Sequence, residues 1–115
     1  SRRIESLDTI ATDDLLREMQ DAGSAHEERS LYRHAGATAA LFVFSAGGSL
    51  RPHTTDGVIT ITVLRGRVRV ATNDDAFEAR ANSMIRLAPH VRHDLEGIEE
   101  SAVLVHFARE SAGTK

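Results

Sequence analysis

The clearest pattern in this chain is an alternation of apolar and polar residues over 58–64, VITITVL. Its apolar members Ile59, Ile61 and Val63 fall on one side of an extended chain, and two threonines fall on the other. Gly66 follows where a tight turn to the next strand needs a positive φ. The pattern therefore predicts a β-strand with one buried face, followed by a turn.

Similar β-type segments occupy most of the chain after residue 31. The apolar run ATAALFVFSAGG predicts a buried strand that ends at a pair of glycines. Shorter candidate strands follow, namely RVRVAT, AFEAR, SMIRLAP, RHDLE and SAVLVHFA. A two-residue turn at Asn73 and Asp74 would place Arg69 opposite Glu78. Several short strands with no long helix between them favour an all-β antiparallel barrel or sandwich.

One segment has helical periodicity, residues 12–22, TDDLLREMQDA. Leu15, Leu16 and Met19 form a single apolar stripe along it. This stripe is too narrow to fold alone, so we expect the helix to dock on the barrel or on a second subunit. Residues 24–30, SAHEERS, are polar and are expected to form a loop.

These elements divide the chain into three parts. Residues 1–30 are expected to form an N-terminal helical extension, residues 31–108 a β-barrel domain, and residues 109–115 a flexible tail. A single domain fits the length of 115 residues, which suffices for a hydrophobic core without disulfide or metal cross-links.

Composition narrows the chemistry. The chain has no cysteine, which excludes disulfides, thiolate zinc sites and cysteine nucleophiles. A net charge of -3 argues against a general nucleic-acid binder. No apolar run approaches the roughly 20 residues of a membrane span, and SRRIESLDTI lacks the apolar core of a secretion signal. We expect a soluble, cytoplasmic protein with neither nucleic acid nor membrane as partner.

The spacing of glycines and one histidine resembles the cupin superfamily, specifically small single-domain cupins. Their first motif is a glycine, five residues, His-x-His, three or four residues, a glutamate, six residues and a glycine. Gly47, His53 and Gly66 match its first glycine, first histidine and last glycine. The second histidine falls on Thr55 and the glutamate falls on Ile59.

The second cupin motif is a glycine, five residues, Pro-x-Gly, two residues, a histidine, three residues and an asparagine. Aligning His93 with its histidine puts Asn82 on the first glycine and His90 on the second. Asparagine is a sensible substitute because it tolerates the left-handed conformation. The resemblance covers roughly residues 36–108 and implies a cupin-type antiparallel barrel, a double-stranded β-helix or jelly roll.

In cupin families that bind a metal, three histidines and the glutamate hold iron, manganese, zinc or nickel. This chain keeps His53 and His93 of the four positions. Thr55 is a poor ligand for a divalent metal, and Ile59 cannot ligate. Three protein ligands are the usual minimum for a tightly held transition metal. The resemblance therefore implies a degenerate metal site, and we expect no tightly held cofactor.

A further histidine would restore a three-ligand set with His53 and His93. His106 would face inward only if Leu104 does so too, and it would point to solvent if Val105 faces the core. His90 is close in sequence but is expected in the turn at the rim of the barrel.

Three functional hypotheses remain open. The first is a protein that binds a small molecule in its pocket, and the second is a metal-dependent cupin enzyme such as a dioxygenase or isomerase. The third is a regulatory or interaction module, and in each case a homodimer is expected because small cupins commonly dimerise through their sheets. The predicted pocket residues are His53, Thr55, Ile59, Ile61 and His93.

Overall fold

The computed structural model describes residues 12–109. Over this range one helix precedes nine strands, and every strand predicted from the sequence is present. The elements are α1 (Thr12–Ala22), β1 (His26–His34), β2 (Ala37–Phe44), β3 (Ser49–His53), β4 (Gly57–Arg65), β5 (Arg67–Thr72), β6 (Ala76–Arg80), β7 (Met84–Leu87), β8 (His93–Gly97) and β9 (Ser101–Arg109). No helix among these residues is long and apolar enough to cross a membrane.

The strands form two antiparallel sheets. The five-stranded sheet has the order β1-β2-β9-β4-β7, and the four-stranded sheet has the order β3-β8-β5-β6. In the hairpin of β5 and β6, Arg69 lies opposite Glu78, which confirms the predicted register. The strand pattern of the sequence thus produces the expected two-sheet barrel.

The main hydrophobic core, here called the barrel core, fills the space between the sheets. Strand β4 contributes Ile59, Ile61 and Val63, which are buried, whereas the intervening threonines are only half-buried. The alternation of residues 58–64 is therefore confirmed as an inside-outside pattern. The buried members of the barrel core are Phe44, Ile59, Ile61, Val63, Val68, Val70, Ala79, Leu87, Leu95 and Val103.

Helix α1 covers part of the outer face of the five-stranded sheet and creates a second cluster, here called the helix core. Its buried members are Leu15, Leu16, Met19, Leu41, Val43 and Ala102. Two ion pairs join the helix to the sheet, Asp13 to Arg65 at 2.7 Å and Glu18 to Arg29 at 2.8 Å. The sequence pattern allowed the helix to dock either on the barrel or on a second subunit. In the structure it docks on the barrel of its own chain.

The chain passes from one sheet to the other at Gly66, between β4 and β5. Its φ is +81°, and a Cβ at this position would collide with Ser101 and with the Glu100 carbonyl. A side chain is therefore excluded both by backbone conformation and by space. The predicted glycine turn is confirmed.

The start of the first sheet differs from prediction. Strand β1 begins at His26, so the segment 24–30 is largely strand, and the barrel begins inside the predicted extension of residues 1–30. This strand lies at the edge of its sheet and carries polar residues on both faces. Without a continuous apolar face, no alternation marks it in the sequence.

The C-terminal end of the barrel lies one residue later than predicted. Arg109, assigned to the tail 109–115, is the last residue of β9, where it pairs with Gly57. The Arg109 guanidinium also contacts the Asp56 carboxylate at 3.1 Å. The rest of the predicted tail, 110–115, and residues 1–11 of the predicted extension lie outside the described residues.

Candidate ligand-binding site

Strands β3 and β8 bring the two predicted histidines side by side. His53 ends β3, His93 begins β8, and the register of the sheet pairs them directly. Their ring centroids lie 4.4 Å apart in an edge-to-face arrangement. His93 is 5% exposed, whereas His53 is exposed to solvent. The pair therefore joins the interior of the barrel to its surface.

A backbone carbonyl orients each imidazole. The Nδ1 of His53 lies 3.1 Å from the Arg51 carbonyl oxygen, and the Nδ1 of His93 lies 2.9 Å from the Val91 carbonyl oxygen. Because a carbonyl oxygen only accepts hydrogen bonds, both Nδ1 atoms must carry the proton. In the neutral rings Nε2 then keeps a free lone pair. The pair thus offers two hydrogen-bond acceptors.

The buried ring favours its neutral form. Burial lowers the pKa of His93 from its ordinary value of 6.5 because desolvation disfavours the charged imidazolium. The Val91 carbonyl acts in the opposite direction, His53 adds to the lowering, and Asp94 opposes it. Since the net pKa is lowered, His93 is neutral at pH 7.

A cavity of about 50 Å³ lies beside this pair, between the two sheets. Its lining residues are Phe42, Leu50, His53, Ile59, Ile61, His93, Leu95 and Val105. Apart from the two imidazoles, the side chains that residues 12–109 contribute to this lining are apolar and uncharged. The cavity therefore combines an apolar interior with one localised polar feature.

Two loops frame the histidines and are bonded to each other. The N–H of His90, in the loop before β8, donates to the Thr55 carbonyl at 2.8 Å in the loop after β3. His90 has a φ of +66°, and Asn82 has a φ of +75°. Both residues stand where the second cupin motif has glycines. They adopt the left-handed backbone conformation that glycine favours, although neither is a glycine. His90 serves the site through its backbone conformation.

The structure does not place Thr55 in the cavity, contrary to the prediction. Its hydroxyl donates to the Gly57 carbonyl at 3.1 Å and is used within the loop. The reason is that β3 ends at His53, so the alternation of side chains along a strand does not extend to residue 55. The other four predicted pocket residues come together on one cavity, namely His53, Ile59, Ile61 and His93.

His106 also departs from its predicted role as a third metal ligand. Val105 lines the cavity, and its neighbour His106 lies on the outer face of the sheet, with its ring centroid 6.3 Å from that of Tyr32. Successive strand residues face opposite sides, so His106 cannot join His53 and His93. Among residues 12–109 no group of three or more His, Cys, Asp or Glu side chains could hold a metal ion. The two imidazoles alone do not fit a tightly binding metal site.

Sequence reasoning missed four of the lining residues, all apolar. Val105 could have been found, because it alternates with the core residue Val103. Phe42 sits within a continuous apolar run, where periodicity does not reveal the inner face. Leu50 stands just before an irregularity in β3 that shifts its register with β8, and the sequence carries no signal for that shift.

A larger concave surface lies elsewhere on the described residues. It is an open groove of about 790 Å³ on the four-stranded sheet and beside His26, lined by charges of both signs, including Arg51, Arg69, Asp94 and Glu96. The histidine pair is not part of it. Ligand sites are typically apolar concavities with a few convergent polar groups, and the small cavity fits that description better than the solvated groove.

Two facing antiparallel sheets around a pocket with histidines at its mouth define a small cupin, and solved structures share this fold. A conserved protein of unknown function from Streptococcus pyogenes is 19% identical with a TM-score of 0.76, over 96% of this chain and 95% of that one. An RmlC-like cupin from Desulfovibrio desulfuricans is 19% identical with a TM-score of 0.69, over 94% of this chain and 96% of that one. A cupin superfamily protein from Desulfitobacterium hafniense is 16% identical with a TM-score of 0.71, over 74% of this chain and 78% of that one. Identities this low establish the fold alone.

The chain belongs to the family of AraC-like ligand binding domains, whose family model matches residues 38–104. That match runs from β2 into β9 and includes both histidines of the site. No curated protein matches the sequence. Family and fold together make this chain a cupin that binds a small molecule.

Proposed function

We propose that the chain binds its small molecule in the cavity beside His53 and His93, with the imidazoles fixing its orientation and no metal tightly held. The observation that carries this proposal is the meeting of two oriented imidazoles at an otherwise apolar cavity. A few convergent polar groups in an apolar concavity are the usual signature of a small-molecule site.

The ligand set supports binding rather than metal-dependent dioxygenase or isomerase chemistry. Ile59, which stands at the position of the motif glutamate, is 5% exposed and packs in the barrel core. His106 lies on the opposite face of its sheet from the cavity. Two imidazoles without a carboxylate leave the site one ligand short of the usual minimum.

A thermal-shift experiment with a metabolite library tests this proposal. The variant His53→Leu removes one imidazole of the site, and His34→Leu removes an exposed histidine at the far end of β1 as a matched control. We expect at least one compound to raise the Tm of wild type and of His34→Leu but not of His53→Leu. A library without any such compound would contradict the proposal.

Elemental analysis of protein purified without chelators tests the metal half of the proposal. We expect far less than one equivalent of any transition metal in wild type. Near-stoichiometric metal that disappears in His53→Leu would overturn this part and revive the enzyme hypothesis.

We further propose that the chain is a homodimer. Met84 is 67% exposed and Leu64 is 38% exposed, and neighbouring exposed apolar side chains mark candidate interaction surfaces. They lie at neighbouring ends of β7 and β4, since Met84 is opposite Thr62. Light scattering at several concentrations should detect a dimer that Met84→Ser weakens and Phe77→Ser, on the other sheet, does not. A monomer at all concentrations would contradict the proposal.

A further inference from the structure

We infer that the ligand of this cavity is an uncharged molecule that carries a compact apolar group and at least one hydrogen-bond donor, a hydroxyl or N–H, at its polar end. The inference rests on the proposed function, because it assigns a ligand class to the same site. Three properties of the site lead to it, namely its hydrogen-bonding capacity, its charge and its size.

The polar part of the site offers acceptors and no free donor. Both Nδ1–H groups already donate to backbone carbonyls, at 3.1 Å for His53 and 2.9 Å for His93. In the neutral rings, the two Nε2 lone pairs remain available to accept hydrogen bonds. A ligand with only acceptors would leave the Nε2 of the buried His93 unpaired, and burying an unpaired polar group is unfavourable. The site therefore selects for donors.

The charge of the lining disfavours ions of either sign. Within the part of the chain that the structure describes, no Lys, Arg, Asp or Glu side chain lines the cavity. The charged neighbours of His93 in sequence, Arg92 and Asp94, line a surface depression with Asn73 instead. An anion in the cavity would lose its hydration without gaining a cationic side chain, and a cation would lose its hydration without gaining a carboxylate.

The volume of the cavity limits the apolar part of the ligand. A single water needs about 10–15 Å³ on the same measure of volume, so the cavity of about 50 Å³ admits a group of a few non-hydrogen atoms, such as a short alkyl chain. The polar end then lies at the exposed His53. An ethyl group bearing a diol matches both requirements.

Three four-carbon probes separate these properties. Butane-1,2-diol is uncharged with two donors, 2-butanone is uncharged with acceptors only, and butyrate is an anion. Each is titrated at pH 7.5, above the ordinary pKa of histidine, while the ring C–H signals of His53 and His93 are followed by NMR. We expect the diol to bind about tenfold more tightly than either of the others, the size of effect that one or two net hydrogen bonds produce.

The variants and the other probes make the result decisive. His53→Leu should weaken diol binding severalfold, whereas His34→Leu should leave it unchanged. Equal binding of all three probes, or preferential binding of butyrate, would overturn the inferred class while leaving the cavity as the ligand site. Failure of the diol to shift either histidine would overturn the inference itself. The thermal-shift experiment tests the proposed function separately. That function would fail if no library compound raised the Tm of wild type in a way that requires His53.

Discussion

The barrel core and the helix core share two strands, β2 and β9, yet among residues 12–109 only the barrel core borders the cavity beside the histidines. On β2, Phe44 points into the barrel core and its neighbour Val43 into the helix core. On β9, Val103 and Ala102 divide in the same way. The helix core is closed by α1, whereas the barrel core ends at a cavity bordered by two histidines.

This difference follows from what covers each apolar surface. A helix supplies three buried side chains that fill the space above the sheet, and ion pairs at both of its sides hold it there. At the His53 end of the barrel core two loops meet instead, joined by the backbone hydrogen bond from His90 to Thr55. The proposed ligand site therefore lies at the end of the barrel core that loops close, whereas the helix core contributes stability.

The largest loss of stability is expected from Phe44→Ala, in the barrel core. Phe44 is fully buried, and its Cβ lies where any side chain at Gly97 would be. Loss of the ring should lower the free energy of unfolding by about 3–5 kcal/mol, because it removes buried apolar surface and leaves a void. Urea denaturation followed by circular dichroism measures this, and a loss below about 1 kcal/mol would contradict the assignment of Phe44 to the core.

A smaller loss is expected in the helix core, from Leu16→Ala. Leu16 is 4% exposed, and its removal should lower the free energy of unfolding by about 2–3 kcal/mol, since a helix on a sheet face can partly close the void. Diol binding to the histidines should be unchanged in this variant. A changed dissociation constant at equal folded fraction would show that the two cores are coupled.

Substitutions of His90 test whether the cavity end of the barrel core depends on the backbone conformation of this residue. Its φ of +66° suits glycine and is unfavourable for a β-branched residue. His90→Val should lower the free energy of unfolding by about 1–2 kcal/mol and disturb the NMR signals of His93. His90→Gly should remain within about 1 kcal/mol of wild type. If both variants behaved alike, the side chain rather than the backbone would be what matters.

The smallest change in stability is expected from a change of pH, because it alters the protonation of His93. Because its pKa is lowered in the folded state, the unfolded chain binds more protons below the ordinary pKa of 6.5. The contribution of His93 to stability is therefore complete above about pH 6.5 and declines as the pH falls through that value toward the lower folded pKa. Urea denaturation at pH 7.5 and 5.5 should show a smaller pH dependence in His93→Gln than in wild type. An equal dependence would mean that other groups account for it.

Much of the architecture could be predicted because it depends on local signals. The two-residue period of 58–64 predicted the inner face of β4, and the apolar stripe of α1 predicted a docked helix. Gly66 and Asn82 marked two left-handed positions, since few residues tolerate that conformation. The edge strand β1 escaped prediction because polar residues on both faces leave no period to detect.

The site could be predicted only in part. Motif spacing placed His53 and His93 together, and Ile59 and Ile61 beside them, because all four lie on strands whose inward face is known once the barrel is assumed. Thr55 was misplaced because the end of β3 interrupts the alternation.

The sequence by itself determined seven of the nine described strands, the turn at Gly66 and which two histidines meet, since these follow from periodicity, backbone preference and spacing along the chain. The tertiary structure alone decided that His106 faces outward, that both Nδ1 atoms donate to carbonyls and that the remaining cavity is small and uncharged. The cavity and the outward position of His106 depend on how separate strands align across the barrel, which the spacing of residues within one strand does not contain. The two Nδ1 contacts join residues only two positions apart, and they depend on the backbone geometry where β3 ends and β8 begins.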